Sequence, residues 1–193
     1  MTVATRGVTL RPLDLATDLE MLHAWVTHPR AVFWMMQGAS LDDVRAEYAS
    51  VVASEHHHAW WGSVDGTAAF LAETYDPAHS PLAAHYPVQP GDLGMHVLVA
   101  PTETPVHGFT SRVFAAVVQH CFARTGSGDV PTRRVVVEPD VGNQPIAELN
   151  ARAGFLVEKE IDLPEKRAAL SVCTRARFDQ SPLRRSTSKE ELA

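Results

Sequence analysis

Residues 95–118 read MHVLVAPTETPVHGFTSRVFAAVV. The opening residues alternate, with Met95, Val97 and Val99 on one side and His96 and Leu98 on the other, which is the period of a β-strand. Pro101 ends it. A loop rich in proline and threonine follows, and from Gly108 the apolar residues Val113, Val117, Val118 and Phe122 recur at helical spacing to about Arg124. A strand, a loop and then a helix opening on glycine has a physical use. The first turn of a helix carries unpaired N–H groups at the positive end of its dipole, and Gly108 lets an anion come close. His107, Gly108, Phe109, Thr110, Ser111 and Arg112 are therefore candidate phosphate contacts.

Working outward, 7–12 (GVTLRP) is a short strand, and Asp14 or Thr17 can cap a helix ending near Thr27, ahead of His28-Pro29. Ser40 caps a second helix, with Val44, Tyr48, Val51 and Val52 on one face. From Ala59 the period turns to strands, Trp60–Val64 and Thr67–Tyr75, joined by Asp65-Gly66, the signature of a type I′ hairpin. Residues 76–90 hold four of the 13 prolines and show no helical pattern. Arg133–Glu138 is an apolar strand, Asn143–Ala153 a helix with Gly154 after it, and two strands close the chain around 155–163 and 168–174. The order β-α-α-β-β-β-α-β-α-β-β predicts an α+β fold on one mixed, mostly antiparallel sheet flanked by helices. It places a single domain over residues 1–178 and a polar, disordered tail over 179–193, where Arg184-Arg185 is solvated charge.

Composition narrows the function. The chain has 193 residues, and 17 Lys+Arg against 23 Asp+Glu leave a net charge of −6, which argues against nucleic acid as the main partner. No apolar run is long enough to span a membrane, and the N-terminus lacks the apolar core of a secretion signal, so a cytoplasmic location is expected. Cys121 and Cys173 make neither a disulfide framework nor a zinc site by spacing and read as packing residues. His56-His57-His58 points its rings in different directions, with no carboxylate or cysteine partner at ligand spacing, so no metal is expected.

Two segments resemble the GNAT acyl-CoA-dependent N-acyltransferases. The first is the strand–loop–helix already quoted, although only Gly108 remains of the family's glycine-rich phosphate loop. The second, VVVEPDVGNQPIAELNARAGF (135–155), is similar to the family's other cofactor motif, with Asn143 in the place that meets the pantetheine arm and Gly154-Phe155 after the helix. The resemblance implies an acyl-CoA co-substrate, acetyl- or succinyl-CoA, and no tightly bound cofactor. Where many relatives have a tyrosine general acid this chain has Asn150, and an amide cannot supply that proton. The runs HPRAVFWMM, GDLGMHVLVAP, VVVEPD and PEKRAALSV, over nearly all of residues 8–178, resemble the siderophore branch, which acylates N-hydroxylysine or N-hydroxycadaverine or the parent amine. Short length and proline content suggest the desferrioxamine type.

That resemblance implies the site. His96 of the GDLGMH run faces the cleft beside the acyl carbonyl, and an unperturbed histidine, near ~6.5, suits a base at neutral pH. Asp140, on the neighbouring strand, is the second catalytic group. A backbone N–H at Leu98 or Val99 would hold the thioester oxygen. An aromatic wall at Trp34 and Tyr75, with the carboxylates Glu73 and Asp76, would hold the far amine of a diamine; a lysine-derived acceptor would instead need a cation such as Lys166 or Arg167 for its carboxylate. Two other readings stand beside this one: a different amine acceptor (an aminoglycoside or a protein N-terminus), and an acyl-CoA-binding module without turnover. Oligomeric state is left open.

Overall fold

A computed structural model describes the backbone of residues 7–191. Its elements are β1 (Val8–Pro12), α1 (Leu15–Val26), α2 (Leu41–Ala53), β2 (His57–Val64), β3 (Thr67–Tyr75), β4 (Asp92–Val99), α3 (Phe109–Phe122), β5 (Thr125–Gly126), β6 (Val130–Pro131), β7 (Arg134–Val137), α4 (Gln144–Arg152), β8 (Leu156–Asp162), β9 (Arg167–Thr174), α5 (Arg175–Asp179) and α6 (Pro182–Glu191). Seven strands form one sheet in the order β1-β2-β3-β4-β7-β9-β8, and β5-β6 make a small separate ribbon. The expected mixed sheet is present, and its one parallel pair is β4 with β7.

Local chemistry explains the elements. Asp14 caps α1 by accepting from the Ala16 N–H, and Ser40 and Asp43 close a reciprocal capping box on α2. At the β2–β3 turn Asp65 and Gly66 have φ of 50° and 82°, the left-handed pair that a type I′ turn requires. The apolar alternation of β4 holds: Met95, Val97 and Val99 face the core under α3, and Leu98 faces the core under α1 and α2. On that second face Trp25 stacks on Trp61 with centroids 4.4 Å apart. Residues 76–90 contain two short 3-10 turns and cover a third cluster, with Leu82 and Tyr86 against β7, β8 and β9. Cys121 and Cys173 are both buried, as expected of packing residues. Among the described residues no helix is long and apolar enough to cross a membrane.

What positions the site is the short reach of the parallel ladder. Register between β4 and β7 runs only from Asp92–Gly94 to Arg134–Val136, and β4 continues to Val99 without a partner on that side. The strands part beyond Gly94, and the gap opens onto a cavity.

The C-terminal segment corrects the sequence expectation. Residues 182–191 are helical, Ser181 is buried, and Leu183 is fully buried in the main core with Phe178. The start signal is Ser181-Pro182: the Ser181 hydroxyl accepts from the Arg184 N–H, and proline suits the first helical position. One apolar residue in a polar run carries no periodicity, which is why the helix was not legible. The core thus continues past residue 178. Leu183→Ala should lower unfolding free energy by about 2–4 kcal/mol in urea melts; a change under ~0.5 kcal/mol, ordinary for a surface position, would show the segment to be dispensable.

Candidate active site

The gap between β4 and β7 is the mouth of a cavity of about 770 Å³. Its wall includes His96, Val97, Leu98 and Val99 of β4, Thr110 and Phe114 of α3, Val137–Asp140, Asn143 and Asn150 of the β7–α4 segment, and Trp34, Tyr48, His57, Glu73 and Lys166. His96 lies between two carboxylates. Its Nδ1 lies 3.2 Å from Glu73 Oε2, and its Nε2 lies 2.5 Å from Glu138 Oε1. Ionised carboxylates only accept, so both ring nitrogens must donate, and the ring is an imidazolium.

Each carboxylate is fully engaged. Glu73 Oε1 accepts from the Tyr48 hydroxyl at 2.9 Å, which in turn accepts from the Trp34 indole at 3.0 Å, and Glu73 Oε2 also accepts from His57 Nε2 at 3.1 Å. Glu138 Oε2 accepts from the Tyr75 hydroxyl at 2.6 Å, and Lys166 Nζ stands 3.6 Å from Oε1. Tyr75 gets there because its cross-strand partner is Gly94: a Cβ on Gly94 would lie 2.1 Å from the Tyr75 ring.

These contacts set the charges. Burial alone would lower the His96 pKa, but the charge of Glu138 and the hydrogen bonds to Glu138 and Glu73 carry it up to about 10. Burial would raise both carboxylates, yet the bonds from His57 and His96 bring Glu73 down to about 2, and the charge and bond of His96, with Lys166 and Tyr75, bring Glu138 to about 2. His96 is therefore not the free base at neutral pH that its unperturbed value implied.

Several expectations meet here and others do not. His96, Asp140, Leu98, Val99, Thr110, Asn143, Trp34, Glu73 and Lys166 all line the cavity. Asp140 makes no hydrogen bond to His96 among the described residues: it follows β7, bridges to Ala168, and holds the Gly142 N–H on Oδ1 at 2.7 Å. The group facing His96 is Glu138, which in the sequence reads only as the end of an apolar strand. Tyr48 and His57 were likewise not foreseen as members of the site. Glu73 is taken up by its partners and is not open to a substrate amine. Tyr75 is buried behind Glu138 rather than on the wall, and Arg167 pairs outside with Glu160 at 2.7 Å. Asp76 lies outside the cavity altogether, capping the turn 77–79, because β3 ends at Tyr75 and the chain bends away. His107, Gly108, Phe109, Ser111 and Arg112 also fall outside the cavity wall; Gly108, at φ 80°, caps α3, and Arg112 reaches Asp65. Asn143 caps α4 with its side-chain oxygen on the Ile146 N–H, and Asn150, buried on the wall, leaves its Oδ1 without a hydrogen-bond partner among the described residues.

The fold and the site together define a class, a mixed sheet splayed at one parallel pair with polar groups in the gap. The family described as "Acetyltransferase (GNAT) domain" matches residues 14–163, and the chain belongs to it. It is similar to the N(6)-hydroxylysine O-acetyltransferase of Escherichia coli, 27% identical over 173 residues, which cover 90% of this chain and 54% of that one, so this chain spans about half of that relative's length. It is also similar to the N-hydroxyputrescine acetyltransferase of Acinetobacter baumannii, 26% identical over 89% of this chain and 79% of that one. Among solved structures, the aminoglycoside acetyltransferase AAC(6')-Ib in complex with coenzyme A superposes with a TM-score of 0.76 at 25% identity, covering 90% of this chain and 98% of that one.

The raised pKa of His96 contributes stability in full below pH 6.5 and loses it as pH climbs through about 10, while the lowered carboxylates contribute in full above pH 4.5 and lose it as pH falls toward about 2. In NMR titrations the His96 ring should remain an imidazolium across pH 5–8, and Glu138→Gln should bring its titration down into that range. A wild-type His96 that titrates near the ordinary 6.5 would refute the assignment.

Proposed function

We propose that this chain is an acyl-CoA-dependent N-acyltransferase whose acceptor is an N-hydroxylated diamine of the N-hydroxycadaverine type, with acetyl- or succinyl-CoA as donor, in hydroxamate siderophore assembly. The observation that carries the acceptor class is the charge of the cavity wall. Glu73 and Glu138 are matched by His96, His57 and Lys166. What remains on the wall is Glu47, Asp140 and Glu165 against Arg30 alone, an excess of negative charge that favours an acceptor with a cationic far end and no carboxylate. Lys166, the candidate partner for an amino-acid carboxylate, is directed to Glu138 instead. The names of the relatives, acting on N-hydroxylysine and N-hydroxyputrescine, support the N-hydroxy part of the reading.

The chemistry is direct transfer in a ternary complex. A hydroxylamine nitrogen is a weak base and mostly neutral at pH 7, so it attacks the thioester carbon without prior deprotonation. As the C–N bond forms, negative charge builds on the thioester oxygen, held by the backbone N–H of Val99, since the Leu98 amide is turned to β3 opposite Leu71, and by the adjacent imidazolium field of His96. The ammonium proton released from the tetrahedral species passes to Asp140, whose Oδ2 has no hydrogen-bond donor among the described residues. The C–S bond then breaks, and Asp140 hands the proton it has taken to the leaving coenzyme A thiolate, while His96, whose two N–H groups stay bonded to Glu73 and Glu138, supplies a positive field rather than a proton. This gives Asn150 no proton to supply and removes the need for a tyrosine in its place.

Thiol release from acetyl-CoA and succinyl-CoA should be rapid with N-hydroxycadaverine or N-hydroxyputrescine and at least about tenfold slower, by kcat/KM, with the parent diamines and with N-hydroxylysine, a gap of about 1.4 kcal/mol. Silence across that panel with turnover of aminoglycosides would move the chain to another acceptor; coenzyme A binding without any turnover would make it a binding module. Glu165→Gln and Glu47→Gln should each raise KM for the diamine about fivefold with kcat nearly unchanged, the weight of one exposed charge pair of ~1 kcal/mol. An unchanged KM in both would remove the charge argument.

A further inference from the structure

The open end of the β2–β3 pair, away from its hairpin turn, gathers three side chains outside the cavity. The Asp76 N–H donates to the His56 carbonyl at 2.8 Å, which carries the ladder one residue beyond the strands and sets His56 beside Asp76. The 3-10 turn Pro77–His79 then brings His79 back over both. Asp76 Oδ2 and His79 Nδ1 are 2.9 Å apart, the rings of His56 and His79 lie parallel with centroids 3.5 Å apart, and one donor atom from each of the three lies within 4.8 Å of the others. The sequence reading found no carboxylate at ligand spacing from the histidine tract, because Asp76 and His79 are distant in the chain and reach His56 only through strand pairing.

We propose that His56, Asp76 and His79 bind a divalent first-row transition cation of the zinc class. Two imidazoles and one carboxylate are the donors that Zn2+, Fe2+, Co2+ and Ni2+ accept, whereas Mg2+ and Ca2+ call for oxygen throughout. The carboxylate is held in place by its own partners: Oδ1 accepts from the Ala78 N–H at 2.9 Å, and the buried Ser127 hydroxyl also bonds to it. Such outer contacts orient a ligand before the ion arrives. The cation takes the place of the proton between Asp76 and His79, whose 2.9 Å spacing is close to the roughly 3.3 Å between neighbouring donors on tetrahedral zinc. Parallel rings cannot both aim their lone pairs at one ion, so the exposed His56 ring turns out of the stack to complete the set. A water fills the fourth position. The next residue inward on each strand belongs to the catalytic network, His57 on Glu73 and Tyr75 on Glu138, so a bound ion ties together the two strand ends from which that network projects.

The test uses the full chain without an affinity tag. Co2+ is titrated and followed by its visible absorption, with Zn2+ and Fe2+ (the latter without oxygen) in calorimetry and Mg2+ and Ca2+ as competitors. The expected result is one ion per chain, a rise in Tm on loading, and no displacement by Mg2+ or Ca2+. His56→Gln and His79→Gln, both on the surface, should each weaken binding by at least about tenfold, and His57→Gln should leave it intact. No saturable uptake, or uptake indifferent to both surface substitutions, overturns the site. Uptake lost in His57→Gln alone also overturns it, by placing the ion in the cavity.

Discussion

The structure turns on how far β4 and β7 stay paired. At the joined end Arg134 makes a bidentate bridge to the fully buried Asp92, both contacts at 2.6 Å, and Asp92 also accepts from the Tyr86 hydroxyl and the Gln89 N–H. That pin fixes the register of the single parallel pair. Three residues on, the backbones separate, and the carbonyl and amide groups of β4 that would have been spent on β7 become available to a ligand. A parallel pair held at one end and open at the other is a mechanical requirement for the cavity, since a full ladder would close it.

Across the opening the strands are linked again, this time by charge. The His96 imidazolium joins Glu138 beyond β7 to Glu73 on β3, so three strands meet through one ring. Burying two carboxylates is costly, and it is sustained here because every oxygen is hydrogen-bonded and the positive groups lie within the same network. Removing His96 or either carboxylate leaves a buried charge short of its partner, which makes the network a rigid unit rather than a set of separable side chains. Rigidity of this kind suits a site that must offer a fixed field to a developing oxyanion.

The residues left outside the network then decide what the cavity admits. Trp34 and Tyr48 supply an aromatic wall tied to Glu73 by hydrogen bonds, and Glu47, Asp140 and Glu165 add negative charge in excess of Arg30. In the proposed reading the buried network is neutralised internally, Glu47 and Glu165 are directed at the acceptor, and Asp140 serves both the acceptor and the proton.

Much of this was determined by the sequence itself. Alternation in 95–99 oriented Met95 and His96 to opposite faces, Asp65-Gly66 set the hairpin, Ser40 and Asp14 started helices, and the motif resemblance placed His96, Asn143 and Asn150 on one cleft. These are local properties, readable because neighbours in the chain remain neighbours in space. Tertiary structure decided the rest. It put Glu138 rather than Asp140 against His96, drew Tyr48 and His57 to Glu73, turned Asp76 away to meet His56 and His79, and buried Leu183 in a core that a polar tail gave no sign of reaching. The charge state of His96 belongs with these, because a pKa depends on which carboxylates lie within hydrogen-bond distance, and that is set by strand pairing between residues 23 and 42 positions apart.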